Sequence, residues 1–506
     1  MSISGSNGAA SAPQHRDAQG TVEGIGRPGD AMEEDLHRGL KERHIQMIAL
    51  GGAIGVGLFL GSASAIQKAG PSLLVSYAVA GAVIFLIMRA LGELLMYRPV
   101  AGSFATYADE FVGRWAGFAT GWTYWLMWVV IGMAEITAVG IYVQYWLPGV
   151  PQWIPALAAL VVLLGVNLIA VGLFGEFEFW FAIIKVITII GMILIGLTII
   201  LLGVSALGDT ARFSNLWSEG GFFPNGLDGP FLALQIVMFA FLGVELIGVT
   251  AGEAQNPGKS IPSAINKVIW RILIFYLGAL LVIMSLVAWD HLDPGESPFV
   301  VVFDKIGIPG AAGIVNFVVL TAALSSCNSG IFSTGRMLYT LAGFRQAPAV
   351  LRTVSRQKVP AAGLVASFGV MLIGVAINYF IPGRAFTYIT SVATVCGLFV
   401  WGMIVFTHLR YRRAVAVGRV PESAFRMPGA PVANWCVLGF LAMVLVLLAF
   451  SKDTVIALYV APVWVLVLVV GYFASRSHHV TSTREPPAAA AAPAAAAVPV
   501  RSGAWS

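Results

Sequence analysis

Three ionisable side chains lie inside long apolar stretches of this 506-residue chain. Glu135 sits near the middle of WVVIGMAEITAVG, and Glu245 lies between Gly243 and Gly248 in QIVMFAFLGVELIGVTAGE. Lys185 is seven residues into the apolar segment that starts at residue 178, which places it roughly 10 Å deep at about 1.5 Å per residue. Charged groups at such depth are costly and mark substrate paths or proton relays. The competing reading of Glu135 is a structural hydrogen bond between helices. That of Lys185 is a side chain that snorkels to the inner interface. Two acids and an amine suit a proton relay. A sodium site would instead draw on helix-break carbonyls and on hydroxyls such as Ser325 and Ser326, and an amine at the cation position argues against it.

Glycines mark where the backbone itself can bind. In IQMIALGGAIGVGLFLGS, glycines 51, 52, 55, 57 and 61 crowd one span. Gly51 with Gly55, and Gly57 with Gly61, form small-xxx-small pairs that would let helices pack closely. Five glycines in eleven residues exceed what one packing face needs, so the spacing also predicts an unwound helix. Non-helical backbone is tolerated at membrane depth only where protein or a cavity surrounds it. The segment around Gly243, Glu245 and Gly248 lies five spans later and predicts a second interruption. Interrupted segments at matching positions of two halves point to a transporter binding site. A half-helix starting near Gly55 would aim free N–H groups at a carboxylate. Carbonyls near Ala53, Ile54, Phe239 and Ala240 would accept from an ammonium group. The ligand predicted for this pair is a zwitterion.

Other chemistries fare poorly. Cys327, Cys396 and Cys436 show no disulfide or metal spacing. None of the seven histidines falls mid-span, which disfavours a haem or zinc enzyme within the bilayer and leaves no nucleophile–base pair at depth. The segment GEAQNPGKS, 252–260, approaches a phosphate-binding loop, but five residues rather than four separate Gly252 and Gly258, and no strand precedes it. It reads as a loop on the cytoplasmic side.

The elements that must position these residues follow from composition. Hydrophobic residues make up 58% of the chain and charged residues only 11%, against about 25% charged in soluble domains. Mean hydropathy is +0.84. These values exclude a soluble enzyme, a disordered chain and a nucleic-acid-binding module. A spanning helix needs about 20 apolar residues. Twelve spans are predicted, near 45–66, 72–96, 117–147, 153–172, 178–203, 229–250, 268–289, 309–341, 361–381, 385–408, 433–450 and 455–474. The aromatic residues of the third, Trp122, Tyr124, Trp125, Trp128, Tyr142, Tyr145 and Trp146, are read mostly as an interfacial belt. With the N-terminus inside, the outward loops carry only Lys68, Arg212, Lys305, Arg384 and Lys452. Lys185 apart, the remaining 24 of the 30 basic residues fall on the cytoplasmic side. Both termini are therefore expected inside, and the basic pI reflects topology. Residues 1–35 have no apolar h-region, so no cleavable signal peptide is expected. They and the Pro/Ala-rich residues 476–506 are expected to be disordered cytoplasmic tails around a permease domain at 36–475.

At these residues the chain resembles the amino acid permeases of the amino acid–polyamine–organocation superfamily. GGAIGVGLFLGS is similar to the first-helix signature of that group, FAFLGVELIG with AGEAQNP to the sixth, and VVLTAALSSCNSGIFSTGRMLYTLA to the eighth. GWTYWLMWVVIGMAEITA, FGEFEFWFAIIKV and ESPFVVVFDKIGIPGAAGIVNFVVLT most resemble the bacterial D-serine/D-alanine/glycine permeases, which also carry D-cycloserine. AEITAVGIYVQYW is also similar to aromatic amino acid and asparagine permeases. The resemblance implies an all-α polytopic fold, with two inverted repeats of five helices, helices 1 and 6 broken, and two C-terminal helices. It implies carboxylate binding by the backbone around Gly55, Val56 and Gly57, with Phe239 at the position of an aromatic that occludes substrate. Lys185 matches a fifth-helix lysine that replaces sodium in proton-coupled relatives, and Glu245 an acid implicated in gating or proton sensing.

The sequence therefore predicts a transporter of the cell (inner) membrane, importing small neutral amino acids by proton symport: D-alanine, D-serine, glycine, L-alanine and D-cycloserine. Its substrate-binding set is Ala53, Ile54, Gly55, Val56, Gly57, Glu135, Phe239 and Ala240. Its coupling and gating set is Lys185, Glu245, Ser325 and Ser326. No cofactor, metal or nucleic-acid partner is expected; the partners are the amino acid, protons and lipid. The alternatives are a permease or exchanger for an aromatic, asparagine-like or GABA-like amino acid, and a sensor that binds without transporting.

Overall fold

A computed structural model describes residues 54–100, 102–169, 174–203, 210–251, 256–293, 295–355 and 359–480. Ala53, the glycines at 51 and 52, the expected N-terminal tail and residues 481–506 lie outside the described residues, while 476–480 of the expected C-terminal tail continue the last helix. What is described is all-helical. Among the described residues nine helices are long and apolar enough to cross a membrane, and two shorter apolar helices, Trp153–Leu168 and Asp228–Ala240, fall within the fourth expected span and the first half of the sixth. In lipid, a helix satisfies its own backbone hydrogen bonds, so long apolar helices are the economical way to build such a chain.

The chain begins with two short helices, α1 (Val56–Phe59) and α2 (Gly61–Ala69), then α3 (Leu73–Tyr97) and a short α4 (Ser103–Phe111). The long α5 (Arg114–Gln144) packs against α14 (Ala311–Gly343) and α16 (Pro382–Ala416), and forms the centre of the bundle. In its most apolar stretch 83% of residues are buried, against 6% in α18 (Ile456–Val480), which lies at the periphery. Between them come α6 (Trp153–Ile169), α7 (Phe174–Leu202), α8 (Asp228–Ala240), α9 (Leu246–Thr250), α10 (Pro257–Asn266), α11 (Val268–Arg271), α12 (Ala279–Leu286) and α13 (Pro298–Ile306). α15 (Ala361–Phe380) and α17 (Val432–Leu447) complete the set.

Two expectations need correction. The aromatic belt holds for Tyr145 and Trp146, which are exposed, but Tyr124, Trp128 and Tyr142 are buried. Tyr124 stacks edge-on against Phe104 and Trp128, so these rings fill the bundle core and do not mark an interface. The second half of the expected 252–260 loop is helical: Pro257, whose missing N–H suits a first turn, opens α10.

Three irregularities shape the centre. Gly55 is extended (φ −125°, ψ −159°) and caps α1, so the helix starts at Val56. Between α8 and α9, residues 241–245 form turns, with Gly243 at φ +96°, a conformation side chains resist. Between α11 and α12, Ile272–Gly278 winds as a π-helix, a register change often found at functional sites.

Candidate functional site

The first interruption and α8 meet backbone to backbone. A Cβ added at Gly57 would stand 2.5 Å from Ala240 Cα, and one at Gly61 would stand 3.3 Å from Ile236 Cγ2. Gly57 and Gly61, one helical turn apart, thus match Ala240 and Ile236, one turn apart on α8. For these two glycines the close-packing reading is correct. Gly55 faces elsewhere. Its Cβ would lie 2.5 Å from Glu135 Oε1 and 3.0 Å from Ser326 Oγ.

Glu135 is buried in the middle of α5, within hydrogen-bonding reach of the Ser326 hydroxyl on α14 and of the Val56 amide that opens α1. Its Oε2 accepts no hydrogen bond among the described residues. A side-chain carboxylate therefore occupies the start of the half-helix that the sequence assigns to a substrate carboxylate. The N–H groups there have no intrahelical partner and carry partial positive charge.

Lys185 does not snorkel. It is 1% exposed on α7, and its Nζ donates to Ser325 Oγ at 3.1 Å. Ser325 in turn donates to Glu178 Oε2 at 2.9 Å. Glu178 is fully buried, and among the described residues it and Glu135 are carboxylates acting on the Lys185 charge. Glu178 was absent from the sequence-based set. It stands at the first residue of a predicted span, where an acid attracts no notice. The available signal was its spacing from Lys185: seven residues, two turns, on one helix face.

At the second interruption Glu245 folds back on the turns that contain it. Its Oε2 accepts from the Gly243 amide at 3.2 Å and from the Trp401 indole of α16 at 3.2 Å. The Phe239 carbonyl accepts from Leu242 N at 3.0 Å. The Ala240 carbonyl accepts from the Tyr276 hydroxyl at 3.1 Å. Tyr276 sits on the π-helical segment and, with Tyr77 and Phe241, forms an aromatic cluster under the break. The Phe239 ring is buried edge-on against Phe386, with centroids 6.2 Å apart. Ile54 is buried in the non-helical residue that precedes Gly55.

The structure thus brings together Gly55, Val56, Glu135, Lys185 and Ser325–Ser326 in one network, with Gly57 and Ala240 beside it. Glu245 belongs to a separate one around the second break. A third buried charge cluster escaped the sequence reading. At the Lys/Arg-rich end, His408 Nε2 lies 3.0 Å from Glu93 Oε2, while Arg412 Nη1 lies 3.1 Å from Glu93 Oε1. His408 is the last residue of its predicted span, which hid its full burial.

A helical bundle with bilayer-length apolar helices, an interrupted helix at its core and buried charges beside the interruption defines a multi-pass membrane protein of the transporter class. The amino acid permease family model matches residues 44–484, and the chain belongs to that family. It is 53% identical to the uncharacterized amino acid permease YtnA of Bacillus subtilis over 446 residues, 88% of this chain and 96% of the relative. It is 50% identical to the probable threonine/serine transporter YbxG of the same organism over 440 residues, 87% of this chain and 95% of the relative. To the aromatic amino acid transport protein AroP of Escherichia coli K12 it is 46% identical over 448 residues, 88% of this chain and 96% of the relative. All three are named for permease or transport activity and none for an enzymatic one.

Proposed function

We propose that this permease imports small neutral amino acids across the cell membrane by proton symport, through twelve helices arranged as two inverted repeats plus two, with both termini cytoplasmic. D-Alanine, D-serine and glycine are the proposed substrates, with L-alanine and D-cycloserine accepted alongside them.

The observation that carries this reading is the Glu135 carboxylate held at the start of α1 by Val56 and Ser326, beside the Lys185 network. An amino acid carboxylate placed on the Val56 and Gly57 amides would meet Glu135. Two carboxylates sharing a buried site cannot both stay ionised. The substrate carboxylate therefore enters when Glu135 takes up a proton, or when its charge is drawn toward the Lys185 ammonium. Proton and substrate then bind with positive coupling, and the coupling is reciprocal. The substrate ammonium would be held by carbonyls at Ile54, Phe239 and Ala240, and Ala53 remains part of the proposed set.

Similarity to AroP favours a second reading, an aromatic substrate, and similarity to YbxG favours L-threonine or L-serine. Uptake of labelled glycine, D-alanine, L-serine and L-phenylalanine into proteoliposomes, with and without an inward proton gradient, separates these readings. Gradient-driven accumulation of glycine and D-alanine is the expected result. Accumulation of L-phenylalanine alone overturns the substrate assignment. Transport that depends on internal amino acid and ignores the gradient overturns symport.

A further inference from the structure

We propose that Glu178 is the inward-side proton acceptor of this permease, linked to Lys185 through the Ser325 hydroxyl. The inference rests on the proton-symport reading and assigns a residue to its exit step. Three observations support it. The chain Lys185 Nζ to Ser325 Oγ to Glu178 Oε2 is continuous, with links of 3.1 and 2.9 Å, and all three residues are buried. Glu178 Oε1 accepts no hydrogen bond among the described residues, so the carboxyl group has an open position for a proton. Finally, the buried charges do not balance. Two carboxylates, Glu178 and Glu135, flank one ammonium, and an uncompensated charge away from water is strongly disfavoured. The set is neutral only when it holds one proton beyond that of the Lys185 ammonium.

Among the described residues no other counter-charge faces this set. α7 packs against α14, α12 and the π-helical segment. α12 carries no ionisable residue, and the π-helical segment carries only Tyr276, whose hydroxyl is given to the Ala240 carbonyl. From α14 the group facing the pair is Ser325, and from α5 the charge is Glu135.

The step balances. Lys185 gives one N–H proton to Ser325 Oγ as Ser325 gives its own hydroxyl proton to Glu178 Oε2. The N–H and the old O–H bonds break, two O–H bonds form, and the products are a neutral amine, an intact serine and a neutral carboxylic acid. Glu178 lies two turns before Lys185 on α7, on the side where the basic-residue bias places the cytoplasm, so the acid then releases its proton inward. The amine is left able to take the next proton from the Glu135 side. Ser325 and Ser326, adjacent on α14, divide the work: one holds the exit carboxylate and the other the carboxylate at the substrate site.

The test uses purified full-length protein in proteoliposomes. Gradient-driven accumulation, counterflow exchange at equal pH and substrate-linked internal acidification, read with a trapped pH dye, are compared for wild type, Glu178→Gln and Glu178→Asp. Positioned proton-transfer groups contribute about 100-fold or more. For Glu178→Gln the ratio of gradient-driven uptake to counterflow should fall at least about tenfold, with acidification lost, and Glu178→Asp should restore part of both. Wild type that ignores the gradient would refute the symport reading itself. A gradient-driven wild type with an equally driven, equally acidifying Glu178→Gln would refute only the relay. If Glu178→Gln does not fold, the Asp variant decides: a wild-type pH profile of uptake from a longer, displaced carboxylate link overturns the proposal, and a shifted profile supports it.

Discussion

Replacing Gly57 by alanine puts a methyl carbon 2.5 Å from Ala240 Cα and 3.1 Å from Ala240 Cβ and N. Ordinary carbon contacts lie at about 3.5–4.0 Å, so α1 and α8 must separate by about 1 Å at this point. The obstacle is backbone, which cannot rotate aside as a side chain would. Overpacking of this kind costs about 1–3 kcal/mol. At about 1.4 kcal/mol per tenfold, that is roughly a 5- to 150-fold loss if it falls on substrate binding. It should fall there, because the two segments that separate carry the amides at Val56 and Gly57 and the carbonyls at Phe239 and Ala240. The assay is substrate affinity by equilibrium binding on detergent-solubilised protein, with thermal unfolding alongside. Gly191→Ala on α7 is the control, since a Cβ there meets nothing within 4 Å, and it should change affinity by less than about twofold. Wild-type affinity in a folded Gly57→Ala protein would refute the backbone site. An equal loss in the control would show that the effect is general to glycine replacement.

Three further perturbations separate structural from functional roles. Lys185→Ala should abolish uphill, gradient-driven accumulation in proteoliposomes, and a mutant that still concentrates substrate would remove Lys185 from the coupling path. Glu245→Gln keeps an oxygen to accept from Gly243 and Trp401 but removes the charge that acts on buried Arg271, so turnover should fall by more than stability does. Glu245→Ala strands both donors and should cost about 1–3 kcal/mol in stability, and full transport by the Gln variant would mean that the acid is only a cap for the turn. Tyr276→Phe frees the Ala240 carbonyl from its hydroxyl donor, at about 1 kcal/mol of stability, and should tighten binding of the substrate ammonium. Unchanged affinity would exclude that carbonyl as a ligand.

Most of the helices were legible in the sequence because lipid-solvated helices must be apolar and long. The interruptions were legible because glycine is conspicuous there. Even so, the two readings of the first glycine cluster prove to be properties of different glycines: Gly57 and Gly61 pack on α8, and Gly55 caps the helix against Glu135. Depth in the span located Glu135, Lys185 and Glu245. The same criterion missed Glu178 and His408, which sit at predicted span ends where charge is ordinary, although both are fully buried. Their burial depends on contacts with residues far along the chain: Ser325 lies 147 positions from Glu178, and Glu93 lies on α3. Tyr276 was illegible for another reason. A π-helical turn shifts which face a residue presents, and no periodicity of apolar residues announces it.

The adjacent serines on α14 explain why binding and coupling should fail separately. Consecutive helical residues point about 100° apart, so Ser325 turns to α7 while Ser326 turns to α5 and the start of α1. The exit link, Lys185 to Ser325 to Glu178, uses only α7 and α14. The substrate-side contact, Gly55 with Glu135 and Ser326, also needs α1, whose nearest firm support is α8 through Gly57. A displacement of α1 with α8 therefore opens the substrate side and leaves the exit link intact. Gly57→Ala should then weaken affinity while preserving the ratio of gradient-driven to counterflow transport, and Glu178→Gln should change that ratio with little effect on affinity. The Cβ added at Gly57 meets Ala240 and Glu178 accepts from Ser325, with no partner in common, so the double variant should show the product of the single losses. A marked departure from that product, in either direction, would mean that the proton path runs through the α1–α8 contact itself and that α14 is not the divider.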